Sequence, residues 1–425
     1  MDKSDKRYIN YVEILKEELI PAMGCTEPIA LSYAASVARD YLGDIPDMVE
    51  VFSCGSIIKN VKSVIIPNTG HLKGIKAAIS SGIIAGDSSK VLEVISEVTE
   101  EQKKKIKEFM ENTEVTEKLL DEGYAFDLIV ILHKGENSSK VRITNTHTNI
   151  VLIQKNDEVI LKKEISECGK ETKGDHTLMD IESIYDFIDT CDICDIKDTL
   201  ERQIEYNAKV ASEGINGNYG ANIGKTLLKY HENNVQNRAK AYAAAASDAR
   251  LDGCTLPVII NAGSGDQGLT CSIPVIEYAK EYKVSHEKLL RALALSNLVS
   301  IHEKTGLGTL SAFCGTVTAG AGAGTGIAYI LGSNLDGVIH TIKNALAITS
   351  GMVCDGAKAS CSAKIQASVD AGILGYQMYL NNQNFNGGDG ILADDVDDTI
   401  KNIGRLGKIG MDSANKEILH IMIGD

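Results

Sequence analysis

From Thr305 to Asn334 the chain carries no charged side chain. A stretch that long must be buried, either in lipid or in the protein's own interior, and its composition decides between the two. It is filled with Gly, Ala, Ser and Thr instead of Leu and Ile, so it would insert poorly into a bilayer. Gly320, Gly322, Gly324 and Gly326 let neighbouring backbones approach closely. We read a tightly packed central helix, interrupted near Cys314, with the rest of a large body arranged around it.

At 425 residues the chain is too long for one ordinary core and predicts two domains, with a third left open. Its first residues, Met-Asp-Lys-Ser-Asp-Lys-Arg, have no apolar stretch behind them, so export is not expected and a cytoplasmic location is. There, the 10 cysteines are expected to bind metal or do chemistry instead of cross-linking. The net charge of -15 argues against nucleic acid and against an anionic membrane as partner, because phosphate groups need a basic face. It leaves a small-molecule substrate, and a homodimer, open.

Tyr8, Tyr11, Val12, Leu15 and Leu19 keep the spacing of an amphipathic helix that Pro21 ends. After the loop Ala22-Met23-Gly24-Cys25, Thr26 is a candidate N-cap, and Ile29 to Leu42 reads as a second helix stopped by Gly43. Cys25 therefore lies at a helix N-terminus. From about Asp47 the pattern turns to short β-branched runs: Met48 to Ser53, Val61 to Ile66, Phe126 to Leu132, Lys140 to Thr146 and Ile150 to Gln154. A helix around Ile75 to Ala85 and a charged one from about Glu100 to Leu120 lie between them. Beyond Ile181 the signal is helical, including 239–249, 285–300, 335–350 and 396–415. The expected fold is α+β: a large mainly helical domain, residues 1–46 and 181–425, with a smaller α/β domain, residues 47–180, inserted.

The richest chemistry lies in Cys354-Asp355-Gly356-Ala357-Lys358-Ala359-Ser360-Cys361, forty residues after Cys314. On an unbroken helix the two outer cysteines would stand roughly 10 Å apart along the axis, and Gly356 offers a break that could bring them to one iron-sulfur core with Cys314. Each cysteine taken alone reads equally well as a small buried hydrophobe. Structural zinc favours paired Cys-x2-Cys motifs, and the one such pair, Cys191 and Cys194, has no match. At Cys25 the positive end of the following helix would lower the thiol pKa and give a base or nucleophile; the competing reading is a buried turn cysteine.

Gly263-Ser264-Gly265-Asp266-Gln267-Gly268 matches a dinucleotide fingerprint, but helices instead of a β-α-β unit surround it. A loop whose backbone N–H groups hold a small carboxylate fits better. Pro67-Asn68-Thr69-Gly70 and Asn145-Thr146-His147-Thr148-Asn149 end expected strands and are binding loops or ordinary turns alike.

Gly24-Cys25-Thr26-Glu27-Pro28, the loop at 263–265, Leu310-Ser311-Ala312-Phe313-Cys314-Gly315 and Met352 to Cys361 together resemble the oxygen-sensitive L-cysteine desulfidase family, related to the iron-sulfur L-serine dehydratases. The resemblance runs over essentially the whole chain. It implies a [4Fe-4S] cluster held by Cys314, Cys354 and Cys361, Cys25 as proton acceptor, and conversion of L-cysteine to pyruvate, ammonia and sulfide without pyridoxal phosphate. Three protein ligands would leave one iron open as a Lewis acid for the departing sulfur. The substrate's carboxylate and ammonium are assigned to Asn68, Thr69, Asn145, Thr148, Asn261, Ser264 and Gly265. Two alternatives remain: an L-serine dehydratase, and a cluster sensor or electron carrier. Sulfur's preference for soft sites counts against the first, and an electron carrier normally ligates its cluster with four protein groups.

Overall fold

The computed structural model describes residues 1–120, 124, 126–165, 173–308 and 311–424. Helices α1 (Lys6–Glu18) and α2 (Thr26–Leu42) flank a short strand β1 (Pro21–Met23). There follow β2 (Met48–Ser53), α3 (Gly55–Val61), α4 (Gly74–Ala85), α5 (Glu100–Asn112), β3 (Glu114–Leu119), β4 (Asp127–Lys134), β5 (Asn137–Thr144), β6 (Ile150–Lys155) and β7 (Glu158–Lys162). The remainder is helical: α6 (Ile181–Thr190), α7 (Ile193–Asn216), α8 (Ile223–Tyr230), α9 (Val235–Leu251), α10 (Gly265–Tyr282), α11 (His286–Thr305), α12 (Thr316–Ile330), α13 (Leu335–Thr349), α14 (Ser360–Leu380), α15 (Val396–Arg405) and α16 (Asp412–Ile423), with β8 (Pro257–Ile259) between α9 and α10. The fold is α+β and mainly helical, as expected.

Six strands form one sheet in the order β3-β2-β4-β5-β6-β7; β2 and β3 run parallel, the other neighbours antiparallel. Strand alternation gives it one apolar face. Val49 and Val51 pair with Leu132 and Val130, and with Val141 and Ile143 of β5 they are fully buried. Helix α2 lies against β4 and β5, with α4 packed beside it.

Helix α12 sits at the centre of the helical layers, packed by α10, α11, α13 and α14, and is buried from Thr316 to Ala328. Its glycines set the spacing: a Cβ on Gly320 would lie 2.3 Å from the carbonyl oxygen of Ser368, and one on Gly324 2.6 Å from that of Gly372, both on α14. Backbone cannot yield as a flexible side chain can. Gly324→Ala is therefore expected to destabilise the protein by about 1–3 kcal/mol, read as a lower denaturant midpoint; an unchanged midpoint would mean the two helices have room to part. No helix among the described residues is long and apolar enough to cross a membrane.

Four local expectations are corrected. Val61 to Ile66 is not a strand: Val61 ends α3, and the following segment makes only an isolated bridge at Ile65. Val61, Val64 and Ile66 are all fully buried, and a short apolar run does not distinguish strand from helix end. The charged helix stops at Asn112, because Thr113 turns extended and the alternating Glu114–Leu119 joins the sheet edge. Strand β7 was not foreseen; its turn uses Asn156 at φ +49°. The expected helix at 396–415 is two, α15 and α16, joined by a π-helical turn at Leu406–Gly410; just before it, Gly404 of α15 packs on Gly306.

Candidate functional site

The ribbon of β1 and β8, Pro21 opposite Ile259 and Met23 opposite Pro257, carries the N-terminal loop into the helical half. Thr26 Oγ1 donates to the Gly263 carbonyl at 3.2 Å, just beyond it. Cys25, not Thr26, occupies the N-cap position of α2, and its side chain caps no helix N–H. Instead Sγ donates to Glu27 Oε2 at 2.9 Å. Cys25 is 3 % exposed.

The other thiols are assembled by a second pairing. Phe313 bridges Val353, Cys314 N–H donates to Met352 O at 3.1 Å, and Cys354 N–H donates to Ala312 O at 2.6 Å. Cys314 thus precedes α12 and Cys361 lies in the first turn of α14. Gly356, at φ +96°, supplies the break between Cys354 and Cys361, and its Cα sits on the Lys59 backbone so closely that a Cβ would be 2.2 Å from that carbonyl oxygen. Leu310, in the motif that leads to Cys314, lies outside the described residues.

Cys25, Cys314, Cys354 and Cys361 line one cavity of about 110 Å³. All are free thiols. Burial pushes Cys314 up to about 11 and Cys361 up to about 12. At Cys25 the expected lowering by the helix N-terminus is overturned. Burial and the adjacent Glu27 carboxylate raise its pKa well above the usual thiol value, against a smaller favourable effect of Arg250. A partial charge at a helix end does not outweigh desolvation plus a full negative charge in contact.

Around the thiols stand groups that sequence reasoning missed. Lys59 is 2 % exposed and donates to Cys354 O at 3.2 Å and Asn415 Oδ1 at 2.8 Å; burial lowers its pKa. Lys304, lowered by burial to about 8, donates to Gly308 O. Arg250 pairs with Asp266 at 2.8 Å. Glu27 accepts from Cys25, Thr26 and Asn60, with His147 Nε2 at 3.8 Å. Its burial alone would raise the carboxyl pKa, but His147 and the donors outweigh this and hold it near about 2. Glu27 was legible only as part of the motif at 24–28, and a lone lysine such as Lys59, on a helix the sequence did not announce, gives no signal at all.

A second cavity, of about 280 Å³, abuts the first; Glu27, Ser264, Gln267 and Lys304 line both. Asn145, His147 and Thr148 line this outer space, and Ser264 caps α10. The structure takes the other candidate holders elsewhere. Asn68 donates to Ile95 O and Ser96 O, Thr69 to Ile66 O, and Asn261 is bound in a buried network with Asn297 and Ser300. Gly265 lies beneath the Arg250 guanidinium. None of these four lines either cavity. The Gly-Ser-Gly loop follows a strand of a two-stranded antiparallel ribbon, which is no dinucleotide frame. Lys358 pairs with Asp355.

Among the described residues no three His, Cys, Asp or Glu side chains converge on one ion. Three thiols lining one cavity, with the buried Lys59 and half-buried Lys304 ammonium groups beside them, form a donor set that would suit an iron-sulfur cluster.

Residues 89–420 match the family model described as serine dehydratase alpha chain. The chain belongs to the serine dehydratase alpha chain family. Its relatives include the UPF0597 proteins of Desulfitobacterium hafniense, 53% identical over 100% of this chain and 98% of the relative, and of Lachnoclostridium phytofermentans, 47% identical over 98% and 100%. That of Treponema denticola is 43% identical over the whole of both chains. The serine dehydratase alpha chain match covers the thiol trio, the outer cavity's 145–148 loop and the Gly263 loop, while Cys25 lies upstream of it and is covered by the full-length relatives.

Proposed function

We propose that this protein is an iron-sulfur lyase that eliminates sulfide from L-cysteine, giving pyruvate, ammonia and hydrogen sulfide. The observation that carries the reading is the convergence of a fourth thiol, Cys25, from the far end of the chain on the cavity of Cys314, Cys354 and Cys361. The trio would hold a [4Fe-4S] cluster, which, when bound with one iron not ligated by protein, supplies a Lewis acid for a departing sulfur.

Cys25 accepts the proton from the substrate's α-carbon. The electrons of that C–H bond form the double bond to the β-carbon, and the β-carbon–sulfur pair leaves with sulfur. The aminoacrylate product tautomerises and takes up water to give pyruvate and ammonia, steps that need little from the protein. Before it can accept a proton, Cys25 must lose its own. Arg250 favours that loss and Glu27 opposes it, so a cation that neutralises Glu27 primes the thiol. Burial of Cys25 and Cys314 limits water at that side of the cavity.

The second reading, dehydration of L-serine, has the family's name behind it. The two are separated by steady-state assays on anaerobically prepared protein: L-cysteine is expected to show the higher kcat/KM, since a soft leaving group suits an iron-sulfur site. A higher value for L-serine would reassign the substrate.

A further inference from the structure

Two charged side chains, one of each sign, line both cavities: Glu27 and Lys304. Glu27 has no oppositely charged group nearer than the His147 ring, whose influence helps keep its carboxyl ionised, and Lys304 has no carboxylate partner among the described residues. The donors to Glu27 are a thiol, a hydroxyl and an amide, with the His147 ring standing off at 3.8 Å, and Lys304 donates to a backbone carbonyl. Arg250 and Asp266, in the same cavity, neutralise each other. Glu27 is buried and Lys304 half-buried; holding charges there without a full counter-charge is costly, and two such charges of opposite sign across one seam are complementary to a small zwitterion. Uncharged Ser264 and Gln267 complete the shared wall.

Resting on the reading that the amino acid reacts in the thiol-lined cavity, we propose that Glu27 and Lys304 are the two poles that grip it, Glu27 taking the α-ammonium and Lys304 the α-carboxylate. The amino acid enters through the outer cavity and is stopped at the seam with its β-substituent directed to the thiols. The pair makes the site selective for free α-amino acids: an amine without a carboxylate, or an acid without an ammonium, satisfies one pole and leaves the other bare. Lys59, which lines the inner cavity alone and is bound to the Cys354 carbonyl and Asn415, belongs to the thiol end and not to the substrate.

The test uses two probes that each lack one pole, cysteamine and 3-mercaptopropionate, titrated calorimetrically into anaerobic iron-loaded protein. Lys304→Met is expected to weaken 3-mercaptopropionate about 30- to 300-fold, as for removing one partner of a buried charge pair, and to leave cysteamine within about threefold. Glu27→Gln should do the reverse, and Lys304→Arg, which keeps the charge, should recover most of the lost affinity for 3-mercaptopropionate. Equal losses for both probes, or no loss in either variant, would overturn the proposal, as would wild-type protein that binds neither. The reading it rests on is judged apart, by whether wild-type protein releases sulfide from L-cysteine at all.

Discussion

Cys25→Ala is expected to slow sulfide release about 10²- to 10⁴-fold, the usual worth of a positioned acid–base group, while the protein keeps its iron. Two observations separate Cys25 from the trio. It is held by the β1–β8 ribbon and not by the 312–354 bridge, and its one side-chain hydrogen bond goes to Glu27. Removing the sulfur takes away little volume, and β1 and α2 are fixed by backbone bonds that a side chain does not enter, so folding should survive. Turnover, iron per chain and the visible spectrum are measured together. Loss of iron in this variant would make Cys25 a fourth ligand, and the chain a sensor or carrier instead of a lyase.

The complementary result is expected from the trio. Cys354→Ala should reduce bound iron to background and abolish turnover, yet leave the secondary structure intact. Cys354 is only half-buried, and the bond from its N–H to Ala312 O does not depend on its thiol. Gly356→Ala should reach the same end without touching sulfur. At φ +96° an alanine is strained, and its Cβ would lie 2.2 Å from the Lys59 carbonyl oxygen, so the turn must open and the two thiols part. Full iron content and full activity in Gly356→Ala would show that the turn does not position the thiols.

How far the sequence reveals this site depends on whether the information is local. The uncharged glycine run, the break at Gly356 and the strand of Met48 to Ser53 are local patterns, and the structure contains them. The polar groups around the thiols are not local: Lys59 reaches Cys354 across 295 positions, and nothing near Lys304 or Arg250 marks either as part of a cavity. Asn68 and Thr69 show the opposite failure. A polar loop after an apolar run looks like a binding loop, but Thr69 closes the loop on itself and Asn68 ties it to the 95–96 backbone. The direction of the Cys25 shift was misjudged for the same reason. The helix end is visible in the sequence, whereas burial and the contact with Glu27 are properties of the folded chain.

The order in which the chain is made bears on the ribbon that joins residue 21 to residue 259. Synthesis proceeds from the N-terminus, so Cys25 emerges first and waits for β8, and Cys361 follows some hundred residues later still. A nascent or prematurely released product therefore has no complete thiol pocket. If the pocket holds the proposed cluster, its loading must wait for an almost finished polypeptide, and truncated fragments would lack the full set of thiols.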